Sequence, residues 1–151
     1  MWEARKKGIL FDLGHGNGGF YFRKAVPALK QGFLPDTIST DIHKRSIMLP
    51  RANMATTMSK FLALGVTLDR VVEMSTTRPA AVLKQSDQLG TLRMGTRADV
   101  TVLENRAGRF VFTDAHGGQR IGKQLLVAAA TVRRGVIVPG GGGLRMRHLA
   151  Q

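Results

Sequence analysis

Two short apolar segments that end in polar residues constrain the fold of this chain more than any other feature. Residues 8–13 (GILFDL) form an apolar run that leads into a glycine cluster, which is typical of a buried parallel strand followed by a loop. Residues 21–31 carry apolar side chains at helical spacing and stop at Gly32, and residues 37–40 form a second, β-branched segment. This order predicts a β-loop-α-β unit with polar residues at the ends of both strands.

The middle of the chain is predicted to be helical and its last third to be β-structure. Apolar residues recur at helical spacing over residues 52–64. Thr67 is a suitable N-cap for a helix over residues 68–74, and Pro79 can open a last helical turn. Three later segments are β-branched and alternate or run apolar, with turns containing Gly or Asn between them: residues 98–103, 109–113 and 125–138.

The length and composition indicate one globular unit. A chain of 151 residues with 43% hydrophobic and 22% charged residues is large enough to bury a core and is not of the disordered class. The change of pattern near residues 84–88 suggests a division into strand-helix units over residues 1–84 and a β module over residues 85–139. Residues 140–151, which start with consecutive glycines, are predicted to be a flexible basic tail.

Several classes of protein are excluded by simple counts. The chain contains no Cys, which excludes a disulfide framework and a thiolate metal site, so any metal must be held by His and carboxylates. The longest apolar stretch, residues 125–132, is far shorter than the ~20 residues of a membrane span, and no secretory signal is recognisable. We therefore expect a cytoplasmic protein without a membrane partner.

The net charge of +13, from 23 Lys and Arg against 10 Asp and Glu, predicts non-specific attraction to polyanions at low salt. The basic residues are scattered, and Trp2 and Tyr21 are the only residues of their types, so no aromatic platform for stacking nucleic-acid bases is evident. Nucleic-acid binding is therefore expected to be non-specific only. A basic polyanion-binding protein remains one alternative function.

A glycine-rich loop offers another alternative. Residues 14–19 (GHGNGG) satisfy the dinucleotide fingerprint, follow a predicted strand, and precede a predicted helix whose N-terminus could hold a pyrophosphate. Against it stand the carboxylate of Asp12, the bulk of His15, and the absence of further alternating βαβ units downstream. A nucleotide-binding α/β domain that uses the Gly14 to Gly19 loop is kept as an alternative.

The same residues fit the active-site end of a (β/α)8 barrel better. In that fold the chemistry lies at the carboxyl ends of the strands, and here one strand is followed by His15 and the next by Asp41 and His43. A carboxylate in such a position can bind a metal ion and accept a proton from metal-bound water. Asp41 is the best single candidate for that role.

Four separated segments carry a resemblance to a known family. They are residues 8–16 (GILFDLGHG), 32–43 (GFLPDTISTDIH), 55–62 (ATTMSKFL) and 90–102 (GTLRMGTRADVTV). Together they resemble the carboxyl-terminal part of the amidohydrolase superfamily, in its dihydroorotase-like amidohydrolase/deacetylase branch. The resemblance runs from about residue 2 to residue 138. It implies an α/β fold made of the last two strand-helix units of a (β/α)8 TIM-type barrel, followed by part of a small β-sandwich.

The resemblance also implies an activity and a set of site residues. The family members are metal-dependent hydrolases of amide, cyclic amide or ester bonds in small molecules, and they act through a metal-bound hydroxide. By that resemblance Asp41 is the catalytic residue, which contacts a divalent metal, expected to be zinc, and shuttles the proton. His15, Gly16 and His43 are implied to bind the substrate.

The family's other metal ligands have no counterpart in this sequence. No His-x-His pair exists anywhere in the chain, and two strands are far fewer than the eight of a barrel. We therefore expect an incomplete barrel: a truncated fragment that is inactive alone, binds no metal tightly, and depends on a complementing amino-terminal half.

Overall fold

The computed structural model describes residues 1–48 and 53–138. Along the chain the elements are α1 (Trp2–Lys6), β1 (Asp12–Gly14), α2 (Phe22–Lys30), β2 (Thr37–Ser39), α3 (Met54–Ala63), α4 (Leu68–Ser75), α5 (Thr77–Val82), β3 (Val100–Thr113), β4 (Gln119–Arg133) and β5 (Val136–Ile137). No helix within these ranges is long and apolar enough to cross a bilayer. The predicted basic tail, residues 140–151, lies outside the described residues, as does the predicted start of a helix at residue 52.

The first two strands form the parallel pair that the sequence predicts. β1 and β2 are hydrogen-bonded in parallel, with Asp12 opposite Thr37 and Gly14 opposite Ser39, and α2 connects them. The carboxylate of Asp12 accepts hydrogen bonds from the hydroxyls of Thr37, at 2.6 Å, and Ser39, at 2.5 Å. Side chains as well as backbone therefore fix the register, although each strand is only three residues long.

The β module is a long hairpin, which differs from the predicted set of three short strands. β3 and β4 pair antiparallel over almost their whole length, and β5 adds a short third strand. The predicted turn between residues 103 and 109 is wrong. The chain continues through it as one strand, and the register shifts between Ala107 and Phe110. Asn and Gly occur in β-bulges as well as in turns, so the local sequence did not separate the two.

One hydrophobic core joins the strand-helix units to the hairpin. α3 lies on β4, where the Ser59 hydroxyl accepts a hydrogen bond of 2.9 Å from the backbone amide of Leu126. The division predicted near residue 84 stays a prediction, and residues on both sides of it contribute to this core. The buried members are Phe20, Phe22, Ile38, Met58, Phe61, Val71, Met74, Phe110, Phe112, Leu125 and Leu126.

The helix N-termini follow from local sequence. Asn53 caps α3, because its side-chain oxygen accepts a hydrogen bond of 2.8 Å from the amide of Thr56. Thr67 caps α4 through a longer contact of 3.4 Å from the amide of Arg70, so the predicted cap is confirmed. These caps satisfy amide groups that a helix leaves without an intrahelical partner.

The tip of the hairpin is tied to the N-terminus of α2. The buried carboxylate of Asp114 accepts hydrogen bonds from the backbone amides of Phe22 (2.9 Å), His116 (2.8 Å) and Gly118 (2.8 Å). Burial would raise the pKa of Asp114, but these amides outweigh it and the pKa lies below its ordinary value. The loop that follows β1 is therefore held by the hairpin.

Candidate active site

Asp41 follows β2 at its carboxyl end, as the sequence predicts, and its side chain is exposed. Its backbone adopts a left-handed conformation with φ 48°, which is uncommon for a residue with a side chain. The preceding carbonyl, of Thr40, accepts a hydrogen bond of 2.8 Å from the amide of Gly16. The two strand ends are thus joined directly beside the Asp41 carboxylate.

The side chain of Asp41 lies against the backbone of Gly14 and Gly16. A Cβ added at Gly14 would lie 2.8 Å from the Cβ of Asp41, and one added at Gly16 would overlap its carboxylate, 3.0 Å from Cγ. Gly16 also has a positive φ of 44°. These two glycines create the space that the Asp41 side chain occupies, which explains their position in the sequence better than a phosphate-binding role does.

His15, between these glycines, points into the interior and is fully buried. Its ring stacks on Phe20 with centroids 5.6 Å apart. Its Nδ1 is 3.0 Å from the carbonyl oxygen of Gly16, and its Nε2 is hydrogen-bonded to Nζ of Lys60. The predicted contact of His15 with substrate stays a prediction, and the ring lies among core residues instead of beside the exposed Asp41.

Lys60 is the functional candidate that the sequence analysis missed. It lies on α3 and is fully buried, which is rare for lysine. Its Nζ donates a hydrogen bond of 2.7 Å to the carbonyl of Thr113 and lies 5.6 Å from the centroid of the Phe20 ring. The sequence does contain one sign that Lys60 could be buried. It stands beside Phe61 in a helix segment whose other residues are apolar or carry hydroxyl groups.

His43 lies in an exposed turn two residues after Asp41. Its backbone amide donates to the hydroxyl of buried Ser46 at 3.0 Å, and its Nδ1 accepts from the amide of Arg45 at 3.2 Å. These bonds hold His43 within its own turn. Its predicted contact with substrate, like that of Gly16, stays a prediction.

The side chains in residues 1–48 and 53–138 do not assemble a metal centre. No group of three or more His, Asp or Glu in these ranges is arranged to hold a metal ion. Catalytic zinc sites usually have three protein ligands. The exposed carboxylate of Asp41 could supply one ligand, while both ring nitrogens of His15 are engaged within the core. The described residues can therefore supply part of the ligand set of a metal site, through Asp41.

The nucleotide-binding alternative conflicts with the geometry. The Asp41 carboxylate lies on Gly16, where the negative charge of a pyrophosphate would have to approach. The amide of Phe22, at the start of α2, already donates to the Asp114 carboxylate. The helix N-terminus that would bind a phosphate is therefore occupied by a side chain of the protein itself.

Comparison with known proteins identifies the family. A model described as "Amidohydrolase family" matches residues 22–130, which is more than half of the chain. The chain belongs to the amidohydrolase family. A deacetylase of Enterococcus faecalis is 36% identical over 137 residues, which cover 90% of this chain and 37% of that protein. A deacetylase of Brucella anthropi is 40% identical over 111 residues, which cover 74% of this chain and 27% of that protein.

Two solved structures show the same relationship to this amidohydrolase chain. An adenine deaminase superposes with a TM-score of 0.84 at 34% identity, covering 92% of this chain and 38% of that one. A dihydroorotase superposes with a TM-score of 0.79 at 36% identity, covering 90% of this chain and 36% of that one. The fold is therefore part of an amidohydrolase barrel with part of its β-sandwich, as predicted. The chain spans well under half the length of these relatives.

Proposed function

We propose that this chain forms the carboxyl-terminal part of a divalent-metal-dependent hydrolase, with zinc as the expected ion, that cleaves amide, cyclic amide or ester bonds in small molecules. The observation that carries the proposal is the exposed Asp41 carboxylate at the end of β2, held against Gly14 and Gly16. In a barrel of this family that end of the sheet is where substrates bind. The cytoplasm is the compartment that we propose for it.

Asp41 is proposed to contact the metal and to carry the proton between the attacking water and the leaving group. A bound metal would supply a Lewis acid that makes water a better nucleophile at neutral pH. The Asp41 carboxylate suits proton transfer because it is exposed and its position is fixed by the two strand ends. Gly16, against which the Asp41 carboxylate lies, and His43 are proposed to contact the substrate, and His15 to support them from the interior.

Completion of the barrel is the second part of the proposal. The two-stranded parallel sheet leaves large apolar side chains exposed beside it, among them Ile9, Leu10 and Ile42, each at 46% or more. Exposed apolar residues and open strand edges favour association with further strands. We propose that the remaining strand-helix units, from the same polypeptide or from a separate amino-terminal half, cover these residues. Without them residues 1–151 are proposed to be inactive.

A chimera tests the role of Asp41. In the chimera this chain replaces its matching segment in the Enterococcus faecalis deacetylase, so that the rest of that barrel is supplied. N-acetyl amino acids and acetyl esters are assayed with zinc or cobalt. We expect turnover that falls about 10²–10⁴-fold in the Asp41→Asn variant, the usual size of a lost general acid-base group. Asp69→Asn, at an exposed site on α4, is the matched control.

The outcomes separate the parts of the proposal. Full activity of the Asp41→Asn chimera would disprove the catalytic role of Asp41. Turnover by residues 1–151 alone that Asp41→Asn abolishes would show instead that no other strands are needed.

A further inference from the structure

We propose that Lys60 is a positioning residue, which fixes the tautomer of His15 and thereby the Gly14–Gly16 turn on which Asp41 lies. The proposal rests on the proposed function only where it makes Asp41 the residue that is positioned. Its structural part concerns contacts that can be measured without any enzymatic reaction.

Lys60 joins three elements at one buried point. It extends from α3, donates to the carbonyl of Thr113 at the end of β3, and bonds the Nε2 of His15 in the loop after β1. Burying the terminal amine of a lysine is unfavourable unless it is well hydrogen-bonded. A methionine or leucine would fill this space in the core without that requirement. The bonds to Thr113 and His15 therefore offset the cost of burying the ammonium group.

The partners of each nitrogen dictate where the protons lie. The carbonyl of Gly16 can only accept a hydrogen bond, so the Nδ1 of His15, 3.0 Å away, carries a hydrogen. Aliphatic amines are far more basic than imidazoles, so the proton shared with Nε2 belongs to Lys60. His15 is then neutral, with hydrogen on Nδ1 and with Nε2 accepting from Lys60. The bond at one ring nitrogen sets the state of the other.

The fixed imidazole holds the Gly16 residue against which the Asp41 side chain lies. The Gly16 residue is bound at its carbonyl by His15 and at its amide to the Thr40 carbonyl, at 2.8 Å. Both glycines beside His15 contact the Asp41 side chain. The buried His15 ring and the exposed Asp41 carboxylate are thus linked through one short turn. Releasing the ring from Lys60 frees the turn and, with it, the position of the carboxylate.

Nuclear magnetic resonance of the chain with ¹⁵N-labelled histidine tests the proposal. Long-range ¹H–¹⁵N spectra distinguish a protonated from an unprotonated ring nitrogen, and His43→Gln and His116→Gln variants assist assignment. We expect His15 to show hydrogen on Nδ1 alone. Lys60→Met should shift it toward hydrogen on Nε2 and move the Asp41 carboxyl ¹³C signal. Lys60→Arg, which keeps a donor, should preserve the wild-type pattern at least in part.

Lys24→Met is the matched control, because Lys24 is an exposed lysine on α2. A wild-type His15 with hydrogen on Nε2 would overturn the proposal, and this measurement does not require a Lys60 variant to fold. So would a folded Lys60→Met protein in which the His15 and Asp41 signals are unchanged. The same spectra are recorded on the chimera, where the remaining barrel strands are present.

Activity of the chimera gives an independent measurement. Lys60→Met is expected to lower kcat about 10–100-fold with a much smaller change in KM, because it misplaces a group that acts in the transition state. Lys60→Arg should restore part of that loss. An inactive chimera with the expected His15 tautomer would disprove the proposed function and leave the positioning contact intact. An active chimera that Lys60→Met does not affect would disprove the positioning role.

Discussion

The carboxylate of Asp114 accepts a hydrogen bond of 2.9 Å from the backbone amide of Phe22, which precedes it by 92 residues. This bond joins the hairpin tip to the start of α2, and two contacts reinforce it. The amide of Ala115 donates to the carbonyl of Phe20 at 2.9 Å, and His116 packs on the Tyr21 ring at 4.4 Å. The loop after β1 is therefore held at two places, by the hairpin tip and by the bond between Lys60 and His15.

Replacing Asp114 by Asn should destabilise the fold without changing its shape. Backbone N–H groups donate to both oxygens of the Asp114 carboxylate. Asn has only one oxygen, so its NH₂ group would face at least one of these donors. We expect the free energy of unfolding to fall by about 1–3 kcal/mol, the usual cost of leaving buried polar groups unsatisfied. Urea denaturation measures it. Asp87→Asn, at an exposed site outside the core, should have almost no effect.

Acid should unfold the protein partly through Asp36 and Asp114. Burial raises the pKa of Asp36, but hydrogen bonds from the Phe11 amide and the Arg5 guanidinium lower it by more. The pKa of Asp36 therefore lies below its ordinary value, as does that of Asp114. A pKa that is lower in the folded state contributes stability above the unfolded-state pKa of about 3.9. That contribution disappears as the pH falls through the folded-state pKa.

Melting temperatures measured between about pH 6 and pH 2 test this linkage. The wild-type protein should lose stability below about pH 4, and Asp36→Asn and Asp114→Asn should each show a smaller decrease over that interval. Asp69→Asn, which removes an exposed carboxylate, is the control. A parallel decrease in all four proteins would contradict the assignment.

Gly16→Ala should damage catalysis more than folding. The added Cβ would overlap the Asp41 carboxylate at a residue with φ 44°, so the carboxylate must move. A displacement of about 1 Å at a catalytic group can cost about 100-fold in rate, and we expect a loss of that order in the chimera. Gly32→Ala also has a positive φ, of 76°, but nothing lies within 4 Å of its added Cβ. It should lower stability and leave turnover near wild type.

Gly122→Ala should loosen the packing of α3 on the hairpin. Its Cβ would lie 2.7 Å from the Phe112 ring and 2.8 Å from the Cβ of Ala63, in the buried core. Overpacking of this kind typically costs about 1–3 kcal/mol, which thermal denaturation would detect. Gly18→Ala is the comparison, because its added Cβ has open space. Equal melting temperatures for the two variants would show that the helix and hairpin can separate without cost.

The sequence was sufficient for features that depend on neighbouring residues. Helical spacing of apolar residues predicted the helices, and a short apolar run and a β-branched run predicted the two parallel strands. Thr67 was recognised as a cap because the bond it makes is local. The position of Asp41 after β2 followed from strand order alone. The family was identifiable for a similar reason, since short segments around these strand ends carry the resemblance, and the family match covers residues 22–130.

The sequence was not sufficient where distant residues meet. Lys60 in a helix is ordinarily an exposed cation, and only the packing of α3 against the hairpin and the β1 loop buries it beside His15, 45 residues away. The Asn and Gly between residues 103 and 109 suited a turn, and pairing with β4 made them part of one bulged strand. Local composition thus determined which elements form, whereas the burial and hydrogen bonding that position Asp41 depend on contacts that exist only once those elements are packed together.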